Sequence, residues 1–371
     1  MDAKASLIYR PAKIEDLDAL VELENRCFSI DRLSRRSFRS WIQKSHADLI
    51  VTTSNGNLVA YALLWCHRGT RLARLYSIAV SPEMRGHGIA DSLLQCIEEL
   101  AIEKQRFYLR LEVAKNNPSA ITCYERNGYR AFGEYIDYYE DHSDALRMQK
   151  RLHFRSRALV QRPTPWYQQT TEFTCGPASL MMAMGSLNEK LPLNQGEELS
   201  IWREATTIFM TSGHGGCHPI GLALAAKARG FKCNTWISTN KDLFMEGLRS
   251  EKKKAILSVV NQQFILQAQK QKLRVHYRDI NQSDLEKWLK QGCAIVMLIS
   301  TYRLDGKKAP HWVCITGVDE HCFYMHDPDP DELASSPIDN QYLPIAKEDF
   351  DLMSVFGTER LRTAVVLQPN S

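Results

Sequence analysis

Hydrophobic and polar positions change period several times along the chain, and each change marks an element. Leu7 to Pro11 is short and strand-like, while Ile14 to Glu24 has apolar residues at helical spacing and acids early, where the helix dipole favours them. Arg35 to Lys44 repeats the helical period through Phe38 and Trp41. Asp48 to Thr53 and Leu58 to Trp65 then read as two apolar strands joined by Ser54-Asn55-Gly56-Asn57, a strong hairpin signal. Arg74 to Val80 is a further strand that leads directly into a glycine-rich turn and a helix, and Phe107 to Val113 is the next strand.

In the second half, Pro177 to Leu187 is an apolar helical run, followed by helices over Glu198–Phe209 and Ile220–Arg229 and a strand over Phe231–Ile237. A long charged helix is predicted over Thr239–Gln271, then a strand over Leu273–Ile280, a capped helix over Ser283–Gly292 and a buried strand over Cys293–Ser300. His311–Val318 and Cys322–Met325 pair as a hairpin, and Glu348–Met353 and Arg360–Leu367 add a last helix and strand. Residues 153–166 mix charge with two prolines and sustain no period, so they read as a linker between a domain at 5–152 and another at 167–371. The fold class expected is α/β followed by α+β.

Composition narrows the function. A chain of 371 residues is long for one core, which agrees with two domains. The net charge of +4 is shared evenly by the halves, so neither is a basic module and no nucleic acid is expected as partner. No apolar run reaches the ~18 residues of a membrane helix, and Met1-Asp-Ala-Lys-Ala-Ser has no signal-peptide core. The ten cysteines are scattered without a Cys-x-x-Cys pair, as reduced thiols in the cytoplasm would be, not a disulfide framework. His214, Cys217 and His218 lie close in sequence, but glycines between them imply a turn without fixed ligand geometry, and the loop reads better as a groove wall than as a metal site.

Candidate chemistry in the first half lies at Arg85-Gly86-His87-Gly88-Ile89-Ala90. A glycine-rich turn between a strand and a helix start lets backbone N–H groups cradle phosphate. The turn is neither Gly-x-Gly-x-x-Gly nor a Walker motif. Together with Val80-Ser-Pro before it, and with Asn117-x-x-Ala120-x-x-x-Tyr124-x-x-x-Gly128-Tyr129 after it, this stretch resembles the acetyl-CoA loop and following segment of the GNAT acetyltransferases. The spacing of Glu112, Asn117 and Tyr124 and the later Tyr138-Tyr139 are most similar to RimI-type enzymes, which acetylate protein N-termini. The resemblance implies a mixed β-sheet with helices, acetyl-CoA as cofactor, and a peptide or protein with a free amine as substrate. It also implies Glu112 as base, Tyr124 as acid, the backbone of Ile78, Ala79 and Val80 along the thioester and pantetheine, and Asn117 as a pantetheine contact. Read without it, Glu112 could pair with an arginine, Tyr124 could be a packing residue and Asn117 a helix start.

Candidate chemistry in the second half centres on Cys175, which stands where the apolar helix begins. Orphan N–H groups and the positive helix end favour a thiolate there. Gln169 can donate to an oxyanion, His311 can serve as base, and Asp327 can orient the imidazole. Gln169 six residues before Cys175-Gly176, and Asp327-Pro328 sixteen after His311, resemble the C39 peptidases, whose fold is papain-like. Thr174 departs from the acidic residue often found before the cysteine in that family, and no transporter portion accompanies the motif. The resemblance implies peptide cleavage, while a non-catalytic peptide-binding module and an acyl-enzyme transpeptidase stay open beside it.

Overall fold

The computed structural model describes residues 7–152, 160–207, 215–246, 250–329 and 337–369. The chain divides between Arg155 and Ser156 into two compact units. The first is built on a seven-stranded sheet in the order β1-β2-β3-β4-β5-β7-β6. Its strands are β1 Leu7–Pro11, β2 Ala47–Ser54, β3 Asn57–Cys66, β4 Leu72–Val80, β5 Tyr108–Ala114, β6 Arg130–Tyr135 and β7 Ala145–Arg151. The helices are α1 Leu17–Cys27, α2 Arg35–Gln43, α3 Ile89–Glu103 and α4 Pro118–Arg126.

Alternation decides which face each helix covers. Ala60, Ala62, Leu64, Leu75, Leu109 and Leu111 point to one side, where Leu93, Leu94 and Ile97 of α3 close the core. Tyr61 points to the other side and meets Phe38 of α2 edge-on at 5.4 Å. Two irregularities open the sheet. Leu63 pairs Ser77 but Leu64 pairs Leu75, so Tyr76 is an extra residue that bends β4. Beyond that bend the pairing of β4 with β5 is lost: it covers only Leu72–Arg74 against Tyr108–Arg110, and the two parallel strands part from there to Val80 and Ala114. The expected hairpin at Asn55-Gly56 is present, both residues having positive φ. Tyr138 and Tyr139, expected on closing strands, lie instead in the turn between β6 and β7.

The second unit holds an eight-stranded sheet, β10-β9-β15-β11-β12-β13-β14, with β8 added against β12. In chain order its elements are β8 Val160–Gln161, α5 Cys175–Leu187, α6 Gln195–Ala205, α7 Pro219–Ala228, β9 Cys233–Ile237, α8 Glu251–Lys270, β10 Arg274–Tyr277 and α9 Gln282–Lys290. They continue as β11 Ala294–Ser300, α10 Tyr302–Asp305, β12 Pro310–Val318, β13 Cys322–His326, β14 Leu343–Ala346, α11 Lys347–Met353 and β15 Thr363–Leu367. Helix α5 is apolar on all sides and buried from Gly176 to Gly185, as a central helix must be. With α7 it packs on β9, β11, β12 and β15.

Two sequence expectations change here. The helix predicted over Thr239–Gln271 is helical only from Glu251, because Leu243 folds back into the core and its N–H donates to Asn261 Oδ1 at 3.1 Å. The linker expected at 153–166 is also shorter at its far end. Residues 153–159 lie outside the described residues, but Val160–Gln161 pairs with Gly317–Val318, and Arg162 donates to the carbonyls of Ser186 and Gly292.

Candidate active sites

In the second unit the parts of the site come from three places in the chain. Cys175 begins α5, and Thr174 leaves the first-turn N–H groups uncapped because its hydroxyl turns to Thr171 instead. His311 sits near the start of β12 and Asp327 directly after β13. His311 Nε2 lies 2.7 Å from Asp327 Oδ1, with both residues buried. The Cys175 sulfur interacts electrostatically with the same ring, and since Nε2 is committed to Asp327, Nδ1 is the nitrogen left for a thiol. Burial alone would lower the pKa of His311; the facing Asp327 carboxylate and Cys175 sulfur override it and hold the pKa well above the ordinary imidazole value. Ser179 Oγ donates to the Trp312 carbonyl at 2.9 Å, which locks α5 onto β12 and so fixes the distance between thiol and imidazole.

Gln169 is buried, and its Oε1 accepts no hydrogen bond among the described residues. Its backbone N–H donates to the Pro328 carbonyl at 2.9 Å. Trp166 Nε1 donates to the Asp327 carbonyl at 2.8 Å. The segment expected to end a linker therefore grips the Asp327-Pro328 turn from two points. Sequence reading missed Trp166, since an indole N–H bonded to a backbone carbonyl 161 residues away leaves no local signal.

Of the loop considered for metal, His214 lies outside the described residues. His218 is not free to ligate: Nδ1 accepts from Ile220 N at 3.1 Å as the N-cap of α7, and Nε2 lies 3.0 Å from Asn261 Oδ1. Burial pushes its pKa down to about 4. Cys217 is buried against Gly176, with its thiol pKa raised well above the ordinary value by burial. Among the described residues no three His, Cys, Asp or Glu side chains converge as metal ligands.

In the first unit, the opening between β4 and β5 leaves the β5-facing backbone of Ile78, Ala79 and Val80 out of the ladder, while β3 pairs their other edge. Gly86 and Gly88 have φ of +80° and +76°, and a Cβ at either would meet nothing within 4 Å. The turn of Arg85, Gly86, His87 and Gly88 leads into Ile89 and Ala90 at the start of α3, where Gly88 offers no side-chain cap. The Val80 carbonyl accepts from Arg85 Nε and the Cys27 thiol, and uncapped N–H groups, open space and a strand edge outside the ladder fit an extended phosphorylated thioester such as acetyl-CoA.

Glu112 and Tyr124 differ in their surroundings. Glu112 Oε2 lies 2.7 Å from Arg74 Nη2, with Arg147 Nε 3.9 Å from Oε1, and all three side chains are shielded from solvent. Tyr124 is buried, and burial raises its pKa, so the phenol keeps its proton. Its ring meets Tyr129 edge-on at 5.8 Å. Asn117 caps α4, its Oδ1 accepting from Ala120 N at 3.1 Å, which is the helix-start role.

A splayed mixed sheet with a glycine turn defines an acyltransferase scaffold, and a helix-borne cysteine facing a buried His–Asp pair defines a cysteine hydrolase scaffold. Comparison with known proteins agrees. The profile of the Peptidase_C39 like family matches residues 164–368, and that of the Acetyltransferase (GNAT) family matches residues 17–129. A Bacillus subtilis protein assigned as a ribosomal protein bS18-alanine N-acetyltransferase is 30% identical over 149 residues, covering 40% of this chain and 96% of that one. An uncharacterized N-acetyltransferase of Methanocaldococcus jannaschii is 32% identical over 146 residues, 39% of this chain and 92% of its own. The crystal structure of the Escherichia coli ribosomal-protein-S18-alanine N-acetyltransferase aligns at 25% identity and a TM-score of 0.38, covering 41% of this chain and 97% of that one. The chain belongs to the Peptidase_C39 like family through its C-terminal half, and to the GNAT N-acetyltransferases through its N-terminal half. Both family expectations drawn from the sequence, and the fold class with them, hold.

Proposed function

We propose that the protein is a bifunctional enzyme that transfers acetyl from acetyl-CoA to the amine of a peptide or protein and cleaves a peptide through Cys175. The hydrogen-bonded His311–Asp327 pair from β12 and the turn after β13, with Cys175 at the start of α5 acting on the same imidazole, carries the second half of this reading. Cys175 attacks the scissile carbonyl, Gln169 donates to the oxyanion, and His311 passes its proton to the departing amine. Water then enters with His311 as base, releasing the acid and restoring the thiol. Asp327 keeps the imidazole oriented throughout.

In the acetyltransferase half, bound acetyl-CoA supplies a thioester carbonyl. The turn over Arg85–Gly88 and the N-terminus of α3 hold the phosphates, and the open edge at Ile78–Val80 takes the pantetheine. Tyr124 holds a proton at its phenol for the departing thiolate, and Glu112 draws the proton from the amine through water. The Bacillus subtilis relative assigned as a ribosomal protein bS18-alanine N-acetyltransferase favours the amine of a protein or peptide as acceptor. Ten cysteines scattered without a Cys-x-x-Cys pair suit the reducing cytosol.

The test is the rate at which iodoacetamide labels Cys175 across pH, mapped by peptide mass, in wild type and His311→Ala. Rapid labelling below pH ~7 that vanishes in the variant supports the Cys–His pair. An ordinary thiol profile in both would overturn the hydrolase half and leave acetyl transfer as the only chemistry.

A further inference from the structure

Helix α6 contributes a carboxylate that none of the proposed steps uses. Glu198 lies on its first turns and is fully buried. No cation pairs with it among the described residues. Its partners are three donors from one short segment. Oε1 accepts from the Thr170 backbone N–H at 2.8 Å, and Oε2 accepts from Thr170 Oγ1 at 2.8 Å and from Tyr167 Oη at 2.9 Å. Gln195 Nε2 adds a bond to Thr170 Oγ1 at 3.1 Å. A carboxylate taken fully out of water is costly unless such bonds replace its hydration, so a side chain kept in this position has its donors held tightly.

The segment so held is the one that carries Gln169. Tyr167 and Thr170 bracket it on either side, and its own N–H is tied to the Pro328 carbonyl. With Trp166 on the Asp327 carbonyl, residues 166–170 form a strap fixed at one edge to the turn carrying Asp327 and at the other to α6. A glutamine on a loop adds three freely turning side-chain bonds to the freedom of its backbone, and donation to an oxyanion demands placement within a fraction of an ångström. The strap removes the backbone part of that freedom.

We propose that Glu198 is a positioning residue for the oxyanion donor: it fixes the Tyr167–Thr170 segment so that Gln169 faces the carbonyl attacked by Cys175. The inference rests on the hydrolase reading above. It predicts that losing Glu198 impairs stabilisation of a tetrahedral adduct and leaves the Cys–His pair intact, because Cys175 is positioned separately, through α5 and the Ser179–Trp312 bond.

The experiment uses full-length protein and two probes of one thiol. Iodoacetamide labelling of Cys175 at pH 6 reports the Cys–His pair. Protection of Cys175 by N-acetyl tripeptide aldehydes of varied side chain, with the tightest carried forward, reports the oxyanion site, since the hemithioacetal oxygen occupies it. Glu198→Ala is expected to weaken aldehyde protection by about the factor that Gln169→Ala does, on the order of 10²-fold. The double variant should be no weaker than either single, and labelling should stay within about twofold of wild type. Glu198→Gln should recover most of the loss, because its carbonyl keeps the Thr170 N–H and both hydroxyls can turn to accept from its amide. If Glu198→Ala does not fold, Tyr167→Phe removes one bond of the three and is expected to weaken protection about fivefold with labelling unchanged. Wild-type protection in Glu198→Ala, losses that multiply in the double variant, or a parallel fall in labelling would each overturn the assignment. A wild-type Cys175 that labels like a free thiol and is protected by no aldehyde overturns the hydrolase reading itself, and that outcome is visible before any Glu198 variant is made.

Discussion

His311 Nε2 lies 2.7 Å from Asp327 Oδ1 although the strands that carry them do not place the two residues opposite each other. The register sets Cys314 against His326, and β12 bulges between Ile315 and Gly317. Asp327 therefore sits one residue past the ladder and reaches diagonally back to His311. Its oxygen also accepts from Asp329 N at 2.9 Å, so the carboxylate is oriented before any substrate arrives. Asp327→Asn keeps the shape but can present an N–H to Nε2 in place of an acceptor. Peptide cleavage should fall by on the order of 10²–10⁴-fold in kcat with KM little changed. Equal turnover in wild type and variant would show that the pair is structural.

The glycine after the nucleophile is there for space. A Cβ on Gly176 would lie 3.1 Å from Cys217 Cβ and 3.2 Å from Trp312 Cδ1, both buried and neither able to swing into solvent. Gly176→Ala should cost about 1–3 kcal/mol of stability by overpacking, and should slow labelling of Cys175 by pushing α5 away from the strand that bears His311. Urea unfolding and iodoacetamide kinetics measure the two effects together. Cys217→Gly in the same chain should restore part of both, and a failure to do so would place the strain elsewhere.

His218 makes stability depend on acid. It is buried neutral with its pKa pushed down to about 4, against about 6.5 when unfolded. A depressed pKa contributes stability fully above the unfolded value and loses it as pH falls from there through the folded one. Between pH 7 and pH 4 the C-terminal unit should lose up to about 3 kcal/mol from this residue alone. Urea midpoints at both pH values, in wild type and in His218→Asn, read the difference. The variant should start lower, having lost the bond to Asn261, but decline less with acid. Parallel declines would assign the acid sensitivity to other groups.

Much of this was legible from sequence because it is local or fixed in spacing. The Asn55-Gly56 hairpin, the apolar run of α5, the glycine turn before α3 and the intervals among Gln169, Cys175, His311 and Asp327 need no knowledge of the fold. What escaped depends on groups far apart in the chain. Glu198 reads as one more acid at a helix start until its three donors from Tyr167 and Thr170 are seen. Residues 160–166 look like a linker because a two-residue strand and an indole hydrogen bond carry no period. The helix predicted from Thr239 failed because the charged residues there suit a helix surface, while Leu243 is drawn inward by Asn261.

Glu112 and Tyr124 are proposed partners in one reaction, yet their settings predict different losses. Glu112 is one side of a buried ion pair with Arg74, and Arg147 stands close by. Glu112→Gln leaves Arg74 without its counter-charge and should cost about 3 kcal/mol of stability as well as activity, since a buried charge that loses its partner stays desolvated. Tyr124→Phe removes only a hydroxyl, whose raised pKa keeps its proton available, and should lower acetyl transfer by on the order of 10²–10⁴-fold with an unchanged melting temperature. Steady-state acetylation of a peptide amine alongside thermal melts separates them. If Glu112→Gln melts lower but transfers acetyl at wild-type rate in its folded fraction, the carboxylate is a structural counter-ion for Arg74, and another base must be sought along the opening between β4 and β5.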